Sequence, residues 1–371
     1  MTRYRISFRS YGSKSIIWES EDFNYLSYRL NADDVTEVEF EPLTGVDLPR
    51  AVFNKMALMQ IWRSPWGAAD YALEGGTEWM VVRCTVEYDD EGVRRVRIAA
   101  SHPNLVLQKR LVAYPSETTQ AEKTQDMGSD APVVTLLEQF MRENVGDLAE
   151  VGRSIPSLRM TSIPAVLPAV EVSAPWRNLL STLQELARQE DVNGERCYFS
   201  LTEREDVFDF RIMRGALGRD LTDRVVFGYE HGNLSSLTIT DDYGREVNTI
   251  YVGGEGQGLD QIVAMRQSGG AGTNPAFRWE DFLQAGYYVD SDSAMQSEGD
   301  RYLAANGARR GVKAQAIDSS PHVYGMDFNH GDRVTLRAEG ASYSCVIYAV
   351  AVTVEDALEK IELYLETEVA L

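Results

Sequence analysis

The sequence predicts a mainly β protein with helical insertions, an α+β class, because three of its features point the same way. Up to about residue 100 most segments alternate apolar and polar side chains with period two, as in VTEVEFE at 35–41. EWMVVRCTVEY (78–88) and VRRVRIAA (93–100) flank a polar turn and predict a hairpin. A meander of alternating segments ends the chain, at 332–338, 344–352 and 359–366. The N-terminal third is therefore expected to form an antiparallel barrel or sandwich.

Two amphipathic helices are expected in the middle of the chain. Pro132 suits the first turn of one, and an apolar stripe follows it. Ser173 is expected to cap the other, with Pro175 in its first turn and Trp176 at the start of its apolar stripe. A third, shorter helix is expected at 293–305.

The polar segment SETTQAEKTQDMGSD predicts an exposed loop at the best boundary of the chain. After the two helices the pattern returns to strands, expected at 197–203, 207–213, 224–229, 234–240 and 247–254. The predicted division is a β-domain at 1–115, a loop or linker at 116–130, a helical insertion at 131–195 and a second, mainly β domain with one short helix at 196–371.

Composition excludes several classes of protein. Hydrophobic residues make up 44% and charged residues 25% of 371, which is ordinary for a folded chain. The net charge of −21 opposes tight binding to nucleic-acid phosphates, since such binding needs clustered Lys and Arg. The first residues lack a signal-peptide core, and no segment is apolar enough for a membrane helix, so synthesis and assembly in the cytosol are expected. Cys84, Cys197 and Cys345 are expected to be small core residues without disulfides.

Residue patterns that carry chemistry are missing, so no catalytic, cofactor-binding or metal site is predicted. The four histidines show no metal-ligand spacing and are expected to be solvated or capping residues. The GGEGQG run at 253–258 fails the dinucleotide pattern GxGxxG, because Leu259 stands where a third glycine is required. The acidic pairs at 33–34, 89–90 and 241–242 are expected to lie in solvated turns. A hydrolase that uses a carboxylate pair from distant loops stays open as an alternative.

A series of short motifs after residue 150 resembles the siphophage tail-hub family, the ReqiPepy-type tail proteins related to the trimeric baseplate hubs of contractile tails. IPSLRM, WRNLLSTLQELARQEDV, RCYFSLTEREDVFDFRIMRGALGRDLT and VVFGYEHGNLSSLTIT occur in the family's order. EVNTIYVGGEGQG (246–258) is the most specific of them, and YGMDFNHGDRVTL (324–336) follows it. The positions that align with the family pattern are Asn248, Gly254, Glu255, Gly256, Gly331 and Asp332, for which a structural role is expected.

This resemblance implies two tail-tube-like antiparallel β-domains with helical insertions and a homotrimeric ring at the virion tail tip. It also implies partners: the distal tail protein or tail tube, the tape-measure protein, and a spike or fibre. DNA would pass through the ring, and carboxylates that line part of its channel would repel phosphate. The expected function is a non-catalytic structural hub. The alternatives are a tail-tip cell-wall hydrolase and a distal tail or receptor-binding module.

Overall fold

The computed structural model describes residues 2–31, 33–54, 57–66, 68–113, 131–161, 163–164, 169–170, 174, 176–189, 196–215, 217–244, 246–254, 256, 260–268, 275–284, 292–317 and 322–370. Unit 1 is a compact group formed by Met1–Gln189, Arg196–Ser236 and Ala314–Leu365. Unit 2 is formed by Glu190–Glu195, Leu237–Lys313 and Glu366–Leu371. These units group segments by contact, so the predicted division along the chain stays a prediction. The predicted loop at 116–130 lies outside the described residues.

The main sheet of unit 1 is built from strands at both ends of the chain. Its strand order is β22-β21-β3-β4-β8-β7-β5-β1-β2, with β6 beside β5 and with β20 joining β14 to β21. The strands are β1 (Arg3–Ser10), β2 (Ile16–Ser20), β3 (Phe23–Asn31), β4 (Glu37–Pro42), β5 (Ala57–Ser64), β6 (Ala72–Leu73), β7 (Trp79–Tyr88), β8 (Arg94–Ser101), β14 (Val226–Gly228), β20 (Arg333–Ala338), β21 (Ala341–Glu355) and β22 (Leu358–Ala370).

The remaining strands form smaller sheets or carry the chain from one unit into the other. They are β9 (Ala131–Pro132), β10 (Leu158–Thr161), β11 (Ala169–Val170), β12 (Cys197–Arg204), β13 (Val207–Arg214), β15 (Leu234–Asp242), β16 (Thr249–Gly253), β17 (Val263–Gln267), β18 (Glu280–Gln284) and β19 (Arg309–Ile317). The protein is therefore mainly β with helices, as its sequence predicts. In the part of the chain that is described, no sheet closes into a barrel.

The period-two segments form the strands that they predict. β7 and β8 pair as an antiparallel hairpin from Met80–Ser101 to Tyr88–Arg94. β12 and β13 form a second hairpin, with Cys197 opposite Arg214. In β22, Ile361, Leu363 and Leu365 are all buried on one face, because every second side chain of a strand points the same way.

The structure contains helices α1 (Leu105–Gln108), α2 (Val133–Asn144), α3 (Leu179–Ala187) and α4 (Asp292–Ala305). The predictions for α2 and α4 are confirmed, and the apolar stripe of α2 is buried. The predicted start of α3 is wrong: Ser173 and Pro175 lie outside the described residues, and Asn178 caps the helix by accepting the Ser181 N–H at 3.1 Å. Trp176 is 56% exposed with φ 60°. Its N–H donates to Val112 O at 2.9 Å, which holds this segment outside the helix.

A helical core lies against the β12–β13 hairpin in unit 1. α2 and α3 pack on each other, and their apolar faces share one buried cluster with the inward side chains of the hairpin. The fully buried members of that cluster include Leu137, Phe140, Leu183, Phe199 and Phe210. At roughly 1.5–3 kcal/mol for each large side chain removed from water, this burial is the main favourable term for the helical region.

Side chains bind the outward backbone N–H groups on the free edge of β12, and the Glu78 backbone N–H donates to Glu203 O on the same edge at 2.8 Å. The backbone N–H groups of every second residue donate to oxygen atoms on three side chains: Phe199 to Asp33 Oδ1 at 2.5 Å, Leu201 to Asn104 Oδ1 at 3.0 Å and Glu203 to Thr77 Oγ1 at 3.0 Å. We call these three contacts the side-chain seam. Thr77 and Asn104 are 0% exposed, so water does not replace their oxygen atoms as acceptors. The seam therefore joins the hairpin to the segments beside β3, β7 and β8.

Unit 2 contains a three-stranded sheet in the order β17-β16-β18. α4 packs on one face of this sheet, where Met295 and Leu303 meet Ile250 and Val252. Among the described residues, no helix is long and apolar enough to cross a membrane.

Replacement of Asn104 by alanine tests the seam. Asn104→Ala leaves the Leu201 N–H buried without its acceptor, so we expect a loss of about 1–3 kcal/mol in the free energy of unfolding, measured by urea denaturation. Asn24→Ala is the control, since Asn24 makes one surface hydrogen bond, to Thr44, and the expected change is within about 0.5 kcal/mol. Equal stabilities for the two variants would show that the seam contributes nothing.

Candidate functional site

The positions that carry the family motifs belong to the two units separately. Asn248, Gly254 and Gly256 lie in unit 2, whereas Gly331 and Asp332 lie in unit 1. Glu255 lies outside the described residues. The two groups are therefore described one after the other.

Asp332 fixes a turn at the start of β20 in unit 1. The side chain is 2% exposed and accepts three hydrogen bonds. Oδ1 accepts the Arg219 N–H at 2.6 Å, and Oδ2 accepts Arg219 Nη2 at 3.0 Å and the Asn329 N–H at 2.8 Å. A carboxylate with charge-assisted partners of this kind holds its neighbours in one geometry. We call this arrangement the Asp332 clamp.

Two glycines make the Asp332 clamp sterically feasible. The Gly218 N–H donates to Gly331 O at 2.9 Å, and Gly331 has φ 85°, which favours glycine. A Cβ on Gly331 would lie 2.4 Å from Leu217 Cβ, and one on Gly218 would lie 2.2 Å from Asp332 Oδ1. Gly218, which lies in the motif RCYFSLTEREDVFDFRIMRGALGRDLT, therefore packs directly on Gly331 and Asp332.

In unit 2, Asn248 joins the start of β16 to the segment before β18. Its side-chain Oδ1 accepts the Trp279 N–H at 2.9 Å, and Nδ2 donates to Phe277 O at 2.8 Å. Its backbone O accepts the Ser268 N–H at 3.0 Å. Asn248 is 4% exposed, and both ends of its side-chain amide bind backbone groups of the segment before β18, so it has little access to a ligand.

The glycines at the other end of β16 permit a close approach of backbone segments. Gly254 N–H donates to Ile262 O at 2.8 Å, which closes the loop onto the segment before β17. Gly256 has φ 97°, and a Cβ there would lie 2.2 Å from Asp260 O. Gln284 Nε2 donates to Gly253 O at 3.1 Å. In this geometry the role of the glycines is structural, because residues without a Cβ allow the backbone segments to lie this close together.

A buried ion-pair network surrounds Arg9, a group of residues that the sequence did not single out. The guanidinium binds three carboxylates: Glu78 through Nε, Glu203 through Nη2 at 2.9 Å and Asp206 through Nη1 at 2.6 Å. Arg9, Glu78 and Glu203 are each at most 2% exposed. Gln60 Nε2 also donates to Glu78 at 2.8 Å. Period-two patterning gives no signal for this network, because its members come from separate elements.

A second network surrounds Arg63, beside a cavity of about 250 Å³. Arg63 Nε donates to Glu359 at 2.9 Å and to Tyr4 Oη at 3.0 Å, and Nη1 donates to Tyr324 O at 2.8 Å. The Tyr324 hydroxyl donates to Glu74, and burial raises the pKa of both groups. Arg63, Glu74 and Tyr324, which line this cavity, are thus engaged in one network, whereas His330 Nε2 lies 3.1 Å from Tyr348 O.

An open, charged cleft of about 720 Å³ lies along β4, β7 and β8. Its lining includes five carboxylates and three arginines, namely Glu39, Glu41, Glu87, Glu355, Asp356, Arg83, Arg95 and Arg97. Arg97 Nε lies 3.7 Å from Glu41. Within the described residues, no group of three or more His, Cys, Asp or Glu side chains is placed to hold a metal ion.

Several of the individual predictions need correction. Asp241 and Asp242 are exposed as predicted, but they lie at the end of strand β15 and not in a turn. Asp33 does not lie in a solvated turn: it is 7% exposed, and burial raises the pKa of its carboxyl to about 7. His102 is not solvated, although it does cap: its buried Nδ1 accepts the Asn104 N–H at 3.2 Å, and burial lowers its pKa to about 3. Cys197 and Cys345 are buried as predicted, whereas Cys84 is only half-buried.

The comparisons with known proteins agree with the motif pattern. Residues 53–365 match the family model of the siphovirus ReqiPepy6 Gp37-like proteins. The chain belongs to this family. The resemblance inferred from the motifs is therefore confirmed. A search of curated proteins returned no match.

Comparison with solved structures shows that this chain has the fold of phage tail proteins. A tail protein from Neisseria meningitidis MC58 superposes with a TM-score of 0.55 at 11% identity, over 98% of this chain and 96% of that one. The 43 kDa tail protein of prophage MuSo2 from Shewanella oneidensis gives 0.53 at 11%, over 97% and 98%. A chain of the Francisella PdpA–VgrG complex gives 0.53 at 9%, over 99% of this chain and 57% of that one. At such low sequence identities, the similarity to these structures shows a shared fold.

A pair of glycine substitutions tests the Asp332 clamp. Gly331→Ala combines positive φ with a 2.4 Å contact, while Gly340→Ala has positive φ, 76°, with open space around it. We expect Gly331→Ala to lower the free energy of unfolding by about 2 kcal/mol more than Gly340→Ala, as measured by urea denaturation. Equal losses would mean that only backbone conformation, and not the close approach to Leu217, requires glycine at 331.

Proposed function

We propose that the protein is a structural tail hub of a long-tailed phage, a homotrimeric ring that joins the tail tube to the spike or fibre and lets DNA pass. The observation that carries the proposal is the fold match, which extends over nearly the whole of this chain and of two phage tail proteins. Membership of a siphovirus family supports it further. In this proposal the β-sheets of the chain are tail-tube-like domains, with α2 and α3 as insertions.

The buried networks support a structural role and no catalytic one. Arg9 and Glu203 are 194 residues apart in sequence, and Arg63 and Glu359 are 296 apart, yet each pair is hydrogen-bonded inside unit 1. Charged groups that are paired in this way fix the geometry of a unit, because removing one partner leaves a buried charge unpaired. A ring component that holds other tail proteins needs such a fixed geometry.

The partners that follow are the distal tail protein or tail tube on one side, the tape-measure protein in the channel, and a spike or fibre on the other side. The ring would be located at the virion tail tip. Part of the −21 net charge would line the channel, where carboxylates repel passing phosphate. A closed ring of identical chains requires a heterologous contact between neighbouring copies.

Native mass spectrometry of the purified chain tests the ring. We expect a species of three copies of the 41.5 kDa chain, whose share grows with protein concentration because association follows mass action. A sixfold species would favour a distal tail module instead. A monomer at every concentration, together with absence of the chain from purified virions, would contradict the proposal.

A further inference from the structure

Four apolar side chains of unit 1 are exposed near the end of α2 and the start of α3. They are Leu111, Leu148, Val151 and Trp176, with exposed fractions of 45%, 58%, 104% and 56%. We call them the Trp176 patch. A single exposed apolar side chain is ordinary, whereas a group of neighbouring ones marks an interaction site.

Backbone contacts place the members of the patch side by side. The Trp176 N–H donates to Val112 O at 2.9 Å, which holds Trp176 beside Leu111. Leu111 O accepts Arg153 Nη2 at 2.7 Å. The two other members of the patch precede Arg153 in the loop that follows α2. The four side chains therefore belong to one surface.

The conformation of Trp176 is costly for a single chain. Its φ of 60° lies in the left-handed region, which residues with bulky side chains rarely adopt. Its indole is more than half exposed, so little burial offsets this cost. Strained residues are concentrated at functional positions. A partner that covers the indole would supply the burial that the single chain lacks.

Uncompensated positive charge borders the patch, although the chain carries a net charge of −21. Lys109 and Arg110 directly precede Leu111, and within the described part of the chain neither forms an ion pair. Arg110 O accepts the Leu179 N–H at 2.9 Å, which places this segment at the start of α3, close to Trp176. The patch is therefore a basic, apolar surface on an acidic protein.

The acids beside the patch do not cancel this charge. Asp147 and Glu185 are each paired with an arginine, and Glu150 also has a partner. A basic surface of this kind attracts an acidic one. Phosphate of a nucleic acid is disfavoured, because two cations are few against the repulsion of the whole chain. A second copy of this acidic chain fits the charge.

We propose that the Trp176 patch forms one side of the contact between neighbouring copies in the ring, and that it receives an acidic surface of the next copy. This inference rests on the proposed function, since it assigns part of the heterologous contact that a closed ring requires. Tryptophan carries much of the binding energy in protein interfaces, and complementary charge fixes the orientation of the partner.

Native mass spectrometry of full-length variants over a range of concentrations tests the patch. The Val151 side chain is fully exposed, so Val151→Asp leaves the single chain intact and places a negative charge against the acidic partner. We expect the association constant of its trimer to fall at least about tenfold, and that of Lys109→Glu to fall as well. Leu358→Asp is the matched control, since Leu358 is an apolar residue of β22 that is 73% exposed, and it should associate like the wild type.

The outcomes separate the patch from the ring. If the wild type forms trimers and Val151→Asp forms them equally well, the assignment of the patch is overturned while the ring stands. An equal loss in Leu358→Asp overturns the assignment too. A wild type that stays monomeric contradicts the ring, and the assignment of the patch falls with it.

Hydroxyl-radical footprinting of the wild type locates the contact without any variant. Trp66 is 70% exposed and serves as the internal reference. Oxidation of Trp176 relative to Trp66 should fall at least about threefold from the monomer fraction to the trimer fraction, because the interface excludes water from the indole. Equal ratios in the two fractions, or a Trp176 that is already protected in the monomer, would overturn the inference.

Discussion

Side-chain oxygen atoms bind the backbone N–H groups on the free edge of β12, where the carbonyl groups of a neighbouring strand would otherwise bind them. The arrangement of unit 1 depends on these contacts. Asp33, Asn104 and Thr77 come from three separate loops, yet their oxygen atoms meet the N–H groups of every second residue of β12. Backbone N–H groups inside a protein must be paired with acceptors. The β12–β13 hairpin is therefore positioned where these three acceptors lie. The helical core, which packs on the hairpin, is positioned by the same contacts.

The buried arginines act alongside the seam. Arg9 binds carboxylates next to Thr77 and in the turn after β12, so it fixes the same hairpin from the N-terminal strand. Arg63 joins the N-terminal strands to β22 through Glu359. Buried ion pairs contribute little net stability compared with apolar packing, but a broken pair is costly. Their effect is therefore to select one arrangement of distant segments, which suits a component of an assembly.

The sequence predicts the local elements well and the contacts between them poorly. Period-two patterns reveal the β7–β8 and β12–β13 hairpins, and the apolar stripe of α2 reveals its buried face, because both depend on residues close in sequence. Trp176 lies outside α3 because its backbone N–H donates to Val112, more than 60 residues away. An apolar stripe in the sequence gives no information about such a distant contact. Asp33 and Arg9 are missed for the same reason. The glycine motifs are visible in sequence, but the contact between Gly218 and Gly331 is not.

The motif positions gain a physical meaning from the structure. Asn248 and Asp332 use their side chains to bind backbone groups, and the glycines allow segments to approach closely. This geometry and the fold of phage tail proteins are the grounds for the proposal that the chain is a structural hub, which would hold its neighbours in place. Electron cryomicroscopy of purified virions, at side-chain resolution in the tail tip, tests that claim most directly. The account predicts three copies of this chain in a ring on the tail axis; six copies, or a position off the axis, would contradict it.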